Sequence, residues 1–285
     1  MTSIDGKICV VTGSTSGIGR AIAFRLAELG GRVVLVARDR GRAELVRQDI
    51  AARAKSTAVD IVLADLSSQA SLRAGVAALQ AQHPRIDVLV NQAGLVQSER
   101  TVTVDGLETM FAVNHLAYFM MTNLLRPQLA AGRARVLNVT GGIEAAGTID
   151  FDDLQRARKF GWFKTLAQSK LANVLFTYEA ARRFAEDRIV VNCLNPGGVK
   201  TALGQNTGGL PRLMMTLGAL FFASPEKAAR NFVQPLVSPE LAQLTGKYFA
   251  PDGRTLARSS ARSHDAALAE RLWTVSAALT SRASV

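Results

Sequence analysis

The feature that most constrains this chain is a glycine-rich turn close to its start. An apolar run, Lys7–Thr12, leads into Gly13, and Gly17 and Gly19 follow where an amphipathic helical stretch begins. Glycine enters the left-handed backbone region without strain and lets two backbones approach closely. A strand, a tight turn and a helix with three glycines at this spacing predict the first strand–helix unit of a parallel sheet.

The alternation of strand and helix continues along the chain. Apolar runs rich in Val and Ile predict strands at Lys7–Thr12, Arg32–Ala37, Val59–Ala64, Val88–Asn91, Arg135–Thr140, Ile189–Leu194 and Lys247–Ala250. Amphipathic stretches predict helices at Gly17–Leu29, Arg40–Ala54, Ser68–Gln80 and Asp105–Leu129. Such nearly continuous apolar strands are typical of a parallel sheet covered on both faces. We therefore expect an α/β fold, a Rossmann-type doubly wound parallel sheet in a single domain.

Composition excludes several other classes of protein. The 285 residues carry a net charge of +11, but the basic residues are spread out, so nucleic-acid binding is not expected. The two cysteines, Cys9 and Cys193, lie in predicted strands and are expected to be buried thiols, and no cluster has metal-ligand spacing. Without a signal peptide or an apolar stretch of the ~20 residues that a membrane helix needs, we expect a cytoplasmic protein with no membrane span.

The glycine turn indicates a phosphate site. Gly13 allows the tight turn, Gly17 lets the backbone approach a pyrophosphate, and Gly19 lets the helix pack close to the strand. The N–H groups and the dipole of the helix start favour phosphate groups. The residues expected to hold the pyrophosphate of a dinucleotide are Gly13, Ser14, Thr15, Ser16, Gly17, Ile18 and Gly19.

Further motifs in the same order resemble the short-chain dehydrogenase/reductase family over about residues 5–255. The first turn reads T-G-x-x-x-G-x-G, and Asn91-Gln92-Ala93-Gly94 is similar to the family's N-N-A-G. VNHLAYFMMTNLL and QSKLANVLFTYEAARR are similar to its retinol-dehydrogenase-like branch. Besides the glycine turn, the resemblance implies cofactor contacts at Asp65, Leu66, Asn91, Ala93, Gly94, Lys170, Pro196, Gly197, Val199 and Thr201.

The end of the second predicted strand bears on which dinucleotide is bound. An acidic residue there would accept a hydrogen bond from the ribose 2′-hydroxyl of NAD. Ala37 occupies that position and Arg38 follows it. A guanidinium pairs with a 2′-phosphate, which a carboxylate would repel, so NADP(H) is the predicted cofactor.

The resemblance also implies a catalytic set, and this chain departs from it. The family uses a tyrosine, a lysine four residues later, a serine and an asparagine. Asn114 and Lys170 match the asparagine and the lysine, whereas Leu166 stands at the tyrosine position and Gly141 at the serine position. Thr140 is one residue away, but strand alternation would point it to the other face. Two proton-bearing groups of the family are therefore expected to be missing.

Other side chains could substitute for the missing hydroxyls. Glu144 lies three residues after Gly141, and a buried carboxyl there could act as an acid of raised pKa, the alternative being a solvated loop residue. His115 neighbours Asn114, but adjacent helical residues point apart. Tyr178 is eight residues beyond Lys170, too far along a helix to replace the tyrosine.

Two segments complete the domain prediction. Residues 1–258 are expected to form the NADP(H)-binding domain, with an apolar substrate lid at 199–224, and residues 259–285 a helical tail. The lid predicts an apolar small-molecule substrate, oxygenated and possibly polycyclic, or a contact with a second copy in a homo-oligomer. The sequence leaves open an oxidoreductase with a substitute proton donor, a non-redox cyclase, dehydratase or isomerase, and a non-catalytic NADP(H)-binding sensor or subunit.

Overall fold

The computed structural model of the protein describes residues 4–54, 56–199 and 223–281. Within these residues lies a seven-stranded sheet of order β3-β2-β1-β4-β5-β6-β7, with every neighbouring pair parallel. The strands are β1 (Ile8–Thr12), β2 (Arg32–Ala37), β3 (Val59–Leu63), β4 (Val88–Asn91), β5 (Arg135–Val139), β6 (Val190–Leu194) and β7 (Tyr248–Phe249). The predicted α/β fold with a doubly wound parallel sheet is confirmed.

Helices connect these strands. They are α1 (Gly17–Glu28), α2 (Arg40–Arg53), α3 (Gln69–Gln82), α4 (Thr109–Phe111), α5 (Ala117–Leu124), α6 (Arg126–Gly132), α7 (Trp162–Arg183), α8 (Pro225–Phe232), α9 (Gln234–Val237) and α10 (Ala266–Ser281). A π-helical turn, Ala112–Leu116, joins α4 to α5, and 3-10 helices lie at Gly142–Ala146 and Ala261–His264.

The single helix predicted over Asp105–Leu129 is divided in the structure, so that prediction is wrong at both ends. Gly106 lies in a turn with a φ of 75°, and the helix begins after Glu108, whose carboxylate accepts from the backbone N–H groups of Met110 and Phe111. Near the other end, Pro127 lies in the first turn of α6 and has no N–H for an intrahelical hydrogen bond. A new helix therefore starts at Arg126.

Side chains of the strands alternate between two apolar layers. Cys9 and Val11 of β1 face the layer that contains Leu26 of α1, whereas Val10 faces the layer that contains Leu79 of α3. Both faces of the central strand are thus covered by helices. This two-sided burial explains why the strands read as continuous apolar runs in the sequence.

Strand order reverses between β1 and β4. Connections from β1 proceed outward to β2 and β3, after which the chain returns to pair β4 with the other edge of β1. In open parallel sheets a ligand crevice forms at this point, beyond the carboxyl ends of the strands. Thr12, Asn91 and Val139 end β1, β4 and β5 on that side of the sheet.

The C-terminal segment forms the predicted helix and packs against the sheet domain. Trp273 of α10 stacks on Phe176 of α7 with ring centroids 5.7 Å apart, and it meets Phe119 of α5 at 4.9 Å. Leu272 is fully buried in the adjoining apolar cluster. Among the helices that the structure describes, none is long and apolar enough to cross a membrane.

Candidate functional site

The glycine turn has the geometry that the sequence predicts. Gly13 and Gly17 have φ values of 65° and 50°, which glycine adopts without strain. A Cβ at Gly19 would lie 2.2 Å from the Gly13 carbonyl oxygen and 2.2 Å from Oε1 of Gln92. Only a residue without a side chain therefore allows α1 to start this close to β1.

The start of α1 differs from the starts of the next two helices. Asp39 and Ser68 accept hydrogen bonds from the first turns of α2 and α3, whereas the Ser16 side chain makes no such bond to α1. Ser14 is also turned away, since its hydroxyl donates to the carbonyl of Val36. The first N–H groups of α1 thus lack a side-chain cap, although a helix start leaves them unpaired. Thr15, Ser16, Gly17 and Ile18 form a cradle that fits the phosphates of a dinucleotide.

The end of β2 lies beside this cradle. Thr12 of β1 is in register with Val36, so Ala37 and Arg38 follow at the same edge of the sheet. Ala37 is buried and Arg38 is exposed. Within residues 4–54, 56–199 and 223–281, no group forms a hydrogen bond or an ion pair with the Arg38 guanidinium. A cationic side chain therefore stands available beside the cradle.

The end of β3 supplies the next predicted contacts. Asp65 follows β3, and its carboxylate accepts hydrogen bonds from the backbone and the hydroxyl of Ser67. Leu66 is partly buried against the apolar layer that includes Leu79. The backbone of this turn is consequently fixed at the carboxyl edge of the sheet, where the resemblance expects the adenine.

The end of β4 is tied to its neighbours by side chains. Thr12 accepts hydrogen bonds from the backbone N–H groups of Gln92 and Ala93. Asn91 is fully buried and donates to Thr122 and to Asn138 on β5. Because its amide is held inside the protein, the Asn91 side chain supports the strand ends, and the cofactor contact expected at this residue stays a prediction.

Asn114 lies in the π-helical turn between α4 and α5. Its Oδ1 accepts from the backbone N–H of Leu95 at 2.8 Å, and its Nδ2 donates to the Leu95 carbonyl at 3.0 Å. A second donor contact reaches the hydroxyl of Ser169 at 3.3 Å. π-turns inside helices are frequent at functional sites. This one brings Asn114 to the loop that follows β4 and to α7.

Lys170 and Asn114 meet at Gly94. A Cβ built on Gly94 would lie 3.4 Å from Oδ1 of Asn114 and 3.9 Å from Nζ of Lys170. The Lys170 ammonium donates to the carbonyl of Val139 at 3.2 Å. Burial without a carboxylate partner lowers the pKa of Lys170 from 10.5 to about 8. The structure thus brings together three residues that the sequence placed in the site.

Gly141 lies beside the stem of Lys170. A Cβ there would be 4.0 Å from Cγ of Lys170 and 3.7 Å from a methyl group of Ile143, which is ordinary contact. The preceding hydroxyl, on Thr140, is buried and donates to the backbone carbonyl of Lys170 at 2.9 Å. Thr140 therefore points away from the crevice, as the alternation predicts, and Gly141 presents no side chain to it.

Leu166 lies one helical turn before Lys170 on α7. It is 8% exposed and packs with Val96 and Met110, against which Phe160 and Trp162 also lie. An apolar wall thus borders the position where Lys170 and Asn114 meet. Nothing on this wall can donate or accept a proton.

Glu144 is buried, as the acid hypothesis requires, but its carboxylate is already occupied. Oε1 accepts from the backbone N–H of Ser260 at 2.8 Å, and Oε2 accepts from the hydroxyl of the same residue at 2.7 Å. Both oxygens anchor the segment that precedes α10. Glu144 is therefore not the solvated loop residue of the alternative, whereas its role as a substitute acid stays a prediction.

His115 is turned away from Asn114, as expected for adjacent helical residues. Its ring nitrogens contact Asn173 at 3.3 Å and Ser276 of α10 at 2.9 Å. Burial lowers its pKa to about 4, so the ring is neutral at physiological pH. Tyr178 is likewise engaged elsewhere, with its hydroxyl 2.7 Å from that of Ser259. Neither side chain replaces a missing hydroxyl beside Lys170.

The segment after β6 closes the site. Gly197 has a φ of 62°, and Val199 is buried and forms a parallel bridge with Ala223. Asn195, which the sequence reasoning missed, accepts from the backbone N–H groups of both Gly142 and Gly197. Its position directly before Pro196 was the available signal. Thr201 and the predicted substrate lid, apart from its ends, lie outside the described residues.

Comparison with known proteins decides the family. A family model described as short chain dehydrogenase matches residues 7–152. Human retinol dehydrogenase 13 is 39% identical over 284 residues, which cover 97% of this chain and 85% of that protein. The chain belongs to the short chain dehydrogenase family. This family consists of oxidoreductases with an NAD(P)-binding fold.

Solved structures agree with this assignment. A 3-ketoacyl-(acyl-carrier-protein) reductase from Brucella melitensis, complexed with NADH, superposes with a TM-score of 0.67 at 26% identity, covering 88% of this chain and 99% of that one. The RhlG/NADP complex from Pseudomonas aeruginosa superposes with a TM-score of 0.70 at 25% identity, covering 89% and 97%. Since similar folds hold either dinucleotide, the choice between them must come from this chain's own residues.

Proposed function

We propose that this protein is an NADP(H)-linked oxidoreductase that acts on an apolar carbonyl compound or alcohol through a site lacking the family's tyrosine and serine hydroxyls. The observation that carries the proposal is the cluster of Lys170, Asn114 and Gly141 beside an uncapped glycine cradle. We assign dinucleotide binding to the cradle, and the cluster lies where β4 and β5 end.

The cofactor half of the proposal rests on charge and space. The nicotinamide dinucleotide, when bound, supplies or accepts a hydride. The backbone from Gly13 to Gly19 would hold its pyrophosphate, and the exposed guanidinium of Arg38 would pair with a ribose 2′-phosphate. Lys170, with its ammonium beside Gly94, would donate to the nicotinamide ribose. The absence of a carboxylate at Ala37 favours NADP(H) over NAD(H).

The substrate half rests on the wall around Lys170. Leu166, Val96 and Met110 present apolar surface, and Trp162 extends it. Such a surface suits a hydrophobic molecule with one polar group. Retinol, the alcohol in the name of the human relative, belongs to this chemical class, so its aldehyde is a suitable first probe.

The test is a two-stage measurement on the purified protein. Quenching of tryptophan fluorescence should show NADPH binding at least ~10-fold tighter than NADH, because one charge-assisted contact contributes roughly 1.5 kcal/mol. All-trans-retinal and a panel of apolar ketones should then be reduced with loss of NADPH absorbance. Equal affinity for both dinucleotides would contradict the cofactor assignment, and NADPH binding without turnover of any probe would contradict the oxidoreductase.

One observation favours a second candidate, a non-catalytic NADP(H)-binding sensor or subunit. Leu166 packs into an apolar cluster at the position where the family resemblance places a proton-bearing hydroxyl. A protein that only senses the cofactor has no need of a proton donor. The same assay separates the two candidates, because a sensor binds NADPH and leaves every carbonyl probe unchanged.

A further inference from the structure

The ammonium of Lys170 has hydrogen-bonding capacity to spare. It carries three N–H donors, and one of them reaches the carbonyl of Val139 at 3.2 Å. The same nitrogen lies near Gly94 and Asn114, at the carboxyl edge of β4 and β5. Lys170 thus faces the crevice where the strand order reverses.

No carboxylate neutralises this ammonium within residues 4–54, 56–199 and 223–281. Several titratable side chains on the elements packed against α7 are held by other partners. Glu108 caps α4, Glu144 accepts from Ser260, His115 contacts Asn173 and Ser276, and Cys193 is buried in β6. Tyr178, on α7 itself, contacts Ser259. Lys170 is therefore a partly buried cation without a counter-charge.

Such an environment changes the acidity of an amine. Burial penalises the charged form and lowers the pKa of Lys170 to about 8. At neutral pH the group remains mostly protonated, yet it gives up its proton more readily than an ordinary lysine. A general acid is most effective when its pKa lies near the working pH.

The side chains around Lys170 do not compete with it as proton donors. Gly141 has no side chain, Thr140 donates to the Lys170 backbone, and Leu166 is apolar. Asn114 is neutral and is held by Leu95. Among the described residues that meet at this position, the ammonium is the one group that can lose a proton near neutral pH.

We propose that Lys170 itself is the proton donor of this site, in place of a tyrosine hydroxyl. The inference rests on the proposed function. In reduction, the carbonyl carbon of the substrate gains a hydride from a bound dihydronicotinamide as the C=O π bond breaks. The carbonyl oxygen takes a proton from Nζ of Lys170. The products are an alcohol, the oxidised dinucleotide and a neutral amine, which regains its proton from water.

The decisive variant is Lys170→Arg. A guanidinium keeps a positive charge and several N–H donors for the cofactor ribose, but its very high pKa prevents it from giving up a proton. We expect NADPH affinity to stay close to that of the native protein while the turnover number falls at least ~100-fold. Lys164→Arg is the matched control, because Lys164 is an exposed lysine on the same helix.

Two readouts separate this role from simple cofactor positioning. The native turnover number for reduction should be constant at low pH and fall as pH rises through about 8, because the donor must be protonated, and Lys170→Arg should lack that inflection. Independently of activity, reductive ¹³C-methylation and NMR of the cofactor-free protein should show, besides the α-amino group, a lysine amine titrating near 8 that is absent in Lys170→Arg.

Each outcome has one meaning. Failure of the native protein to bind NADPH rejects the proposed function. NADPH binding with unchanged turnover in Lys170→Arg leaves the function standing and overturns the role of Lys170. An amine that titrates near the ordinary 10.5 overturns that role as well, whereas NADPH binding without turnover of any probe rejects the proposed oxidoreductase.

Discussion

The two ends of the crevice are built from the same kind of unit, a parallel strand followed by a helix, yet they differ in what they retain. At the end of β1 the turn keeps three glycines, and the start of α1 has no side-chain cap. At the end of β5, Gly141 lies beside Lys170 of α7, and Leu166 lies one helical turn before that lysine. One end presents backbone N–H groups that fit phosphate, whereas the other presents an amine beside a glycine and an apolar wall.

This difference separates binding from chemistry within one fold. Phosphate binding depends on backbone N–H groups, which any sequence supplies once the turn geometry is right. Proton transfer depends on individual side chains, so substitutions can change it without altering the backbone. A fold of this family therefore shows that a cofactor can be held, while the residues at the second end decide how it is used.

The largest expected effect is a loss of NADPH affinity when the glycine turn is disrupted. In Gly19→Ala the new Cβ would meet the Gly13 carbonyl and Gln92 Oε1 at 2.2 Å, so the turn must open. We expect NADPH affinity to fall by ~100-fold or more, equivalent to about 3 kcal/mol. Fluorescence titration measures it. Gly161→Ala is the control, because a Cβ there meets nothing within 4 Å, and an equal loss in both variants would refute the cradle.

A smaller effect tests the specificity of the same end. Arg38→Ala removes the exposed guanidinium at the end of β2. NADPH affinity should fall about 10-fold and NADH affinity should not change, because NADH has no 2′-phosphate. Arg230→Ala, at an exposed arginine on α8, controls for the loss of one positive charge. A parallel loss for both dinucleotides would show that Arg38 acts through the general field of the protein.

At the second end, Glu144 should matter for stability and not for turnover. Glu144→Gln places an amide N–H against the donors of Ser260, so the free energy of unfolding should fall by roughly 1–3 kcal/mol. Urea unfolding measures the change. In the control Glu28→Gln an exposed ion pair is lost, and the effect should stay within about 1 kcal/mol. If fully folded Glu144→Gln has lost turnover, the prediction is contradicted and Glu144 acts as a proton donor.

The last prediction concerns the pH dependence of stability. The pKa of Lys170 is lowered to about 8 in the folded protein, so between 8 and 10.5 the unfolded state binds more protons. Unfolding free energy should therefore gain a contribution from Lys170 as pH rises through this range. In Lys170→Met that contribution disappears, so the stability of the native protein relative to this variant should rise between pH 8 and pH 10.5 and stay constant above and below that range. Parallel curves would show that Lys170 has an ordinary pKa.

Much of this fold could be predicted from the sequence. Continuous apolar strands and the glycine turn each have one common structural solution, and both ends of each of the seven described strands agree with the prediction to within one residue, as at Ile8 and Leu63. The sequence pattern did not predict that the helix would begin only after Glu108 and that a new helix would begin at Arg126. The first boundary depends on a side-chain cap and the second on Pro127, and both lie within an otherwise amphipathic pattern.

The candidate site was less predictable. The meeting of Lys170, Asn114 and Gly94 followed from family spacing, but the partners of buried polar groups did not. Glu144 binds Ser260, more than a hundred residues away in the chain, and local sequence carries no sign of that contact. Asn91 similarly faces inward to Asn138. Tertiary pairing of this kind decides whether a polar residue serves stability or chemistry.

We infer that the cofactor-binding end of the crevice is intact, whereas the other end lacks the serine and tyrosine hydroxyls that the family resemblance implies. The most direct measurement compares NADPH affinity and carbonyl turnover in the native protein and in the double variant Gly141→Ser, Leu166→Tyr. Space beside Gly141 admits a serine Cβ at ordinary contact distance. We predict unchanged NADPH affinity and a turnover number raised by roughly 10²–10⁴-fold, the usual contribution of a positioned proton donor. Equal turnover in both proteins would contradict the account.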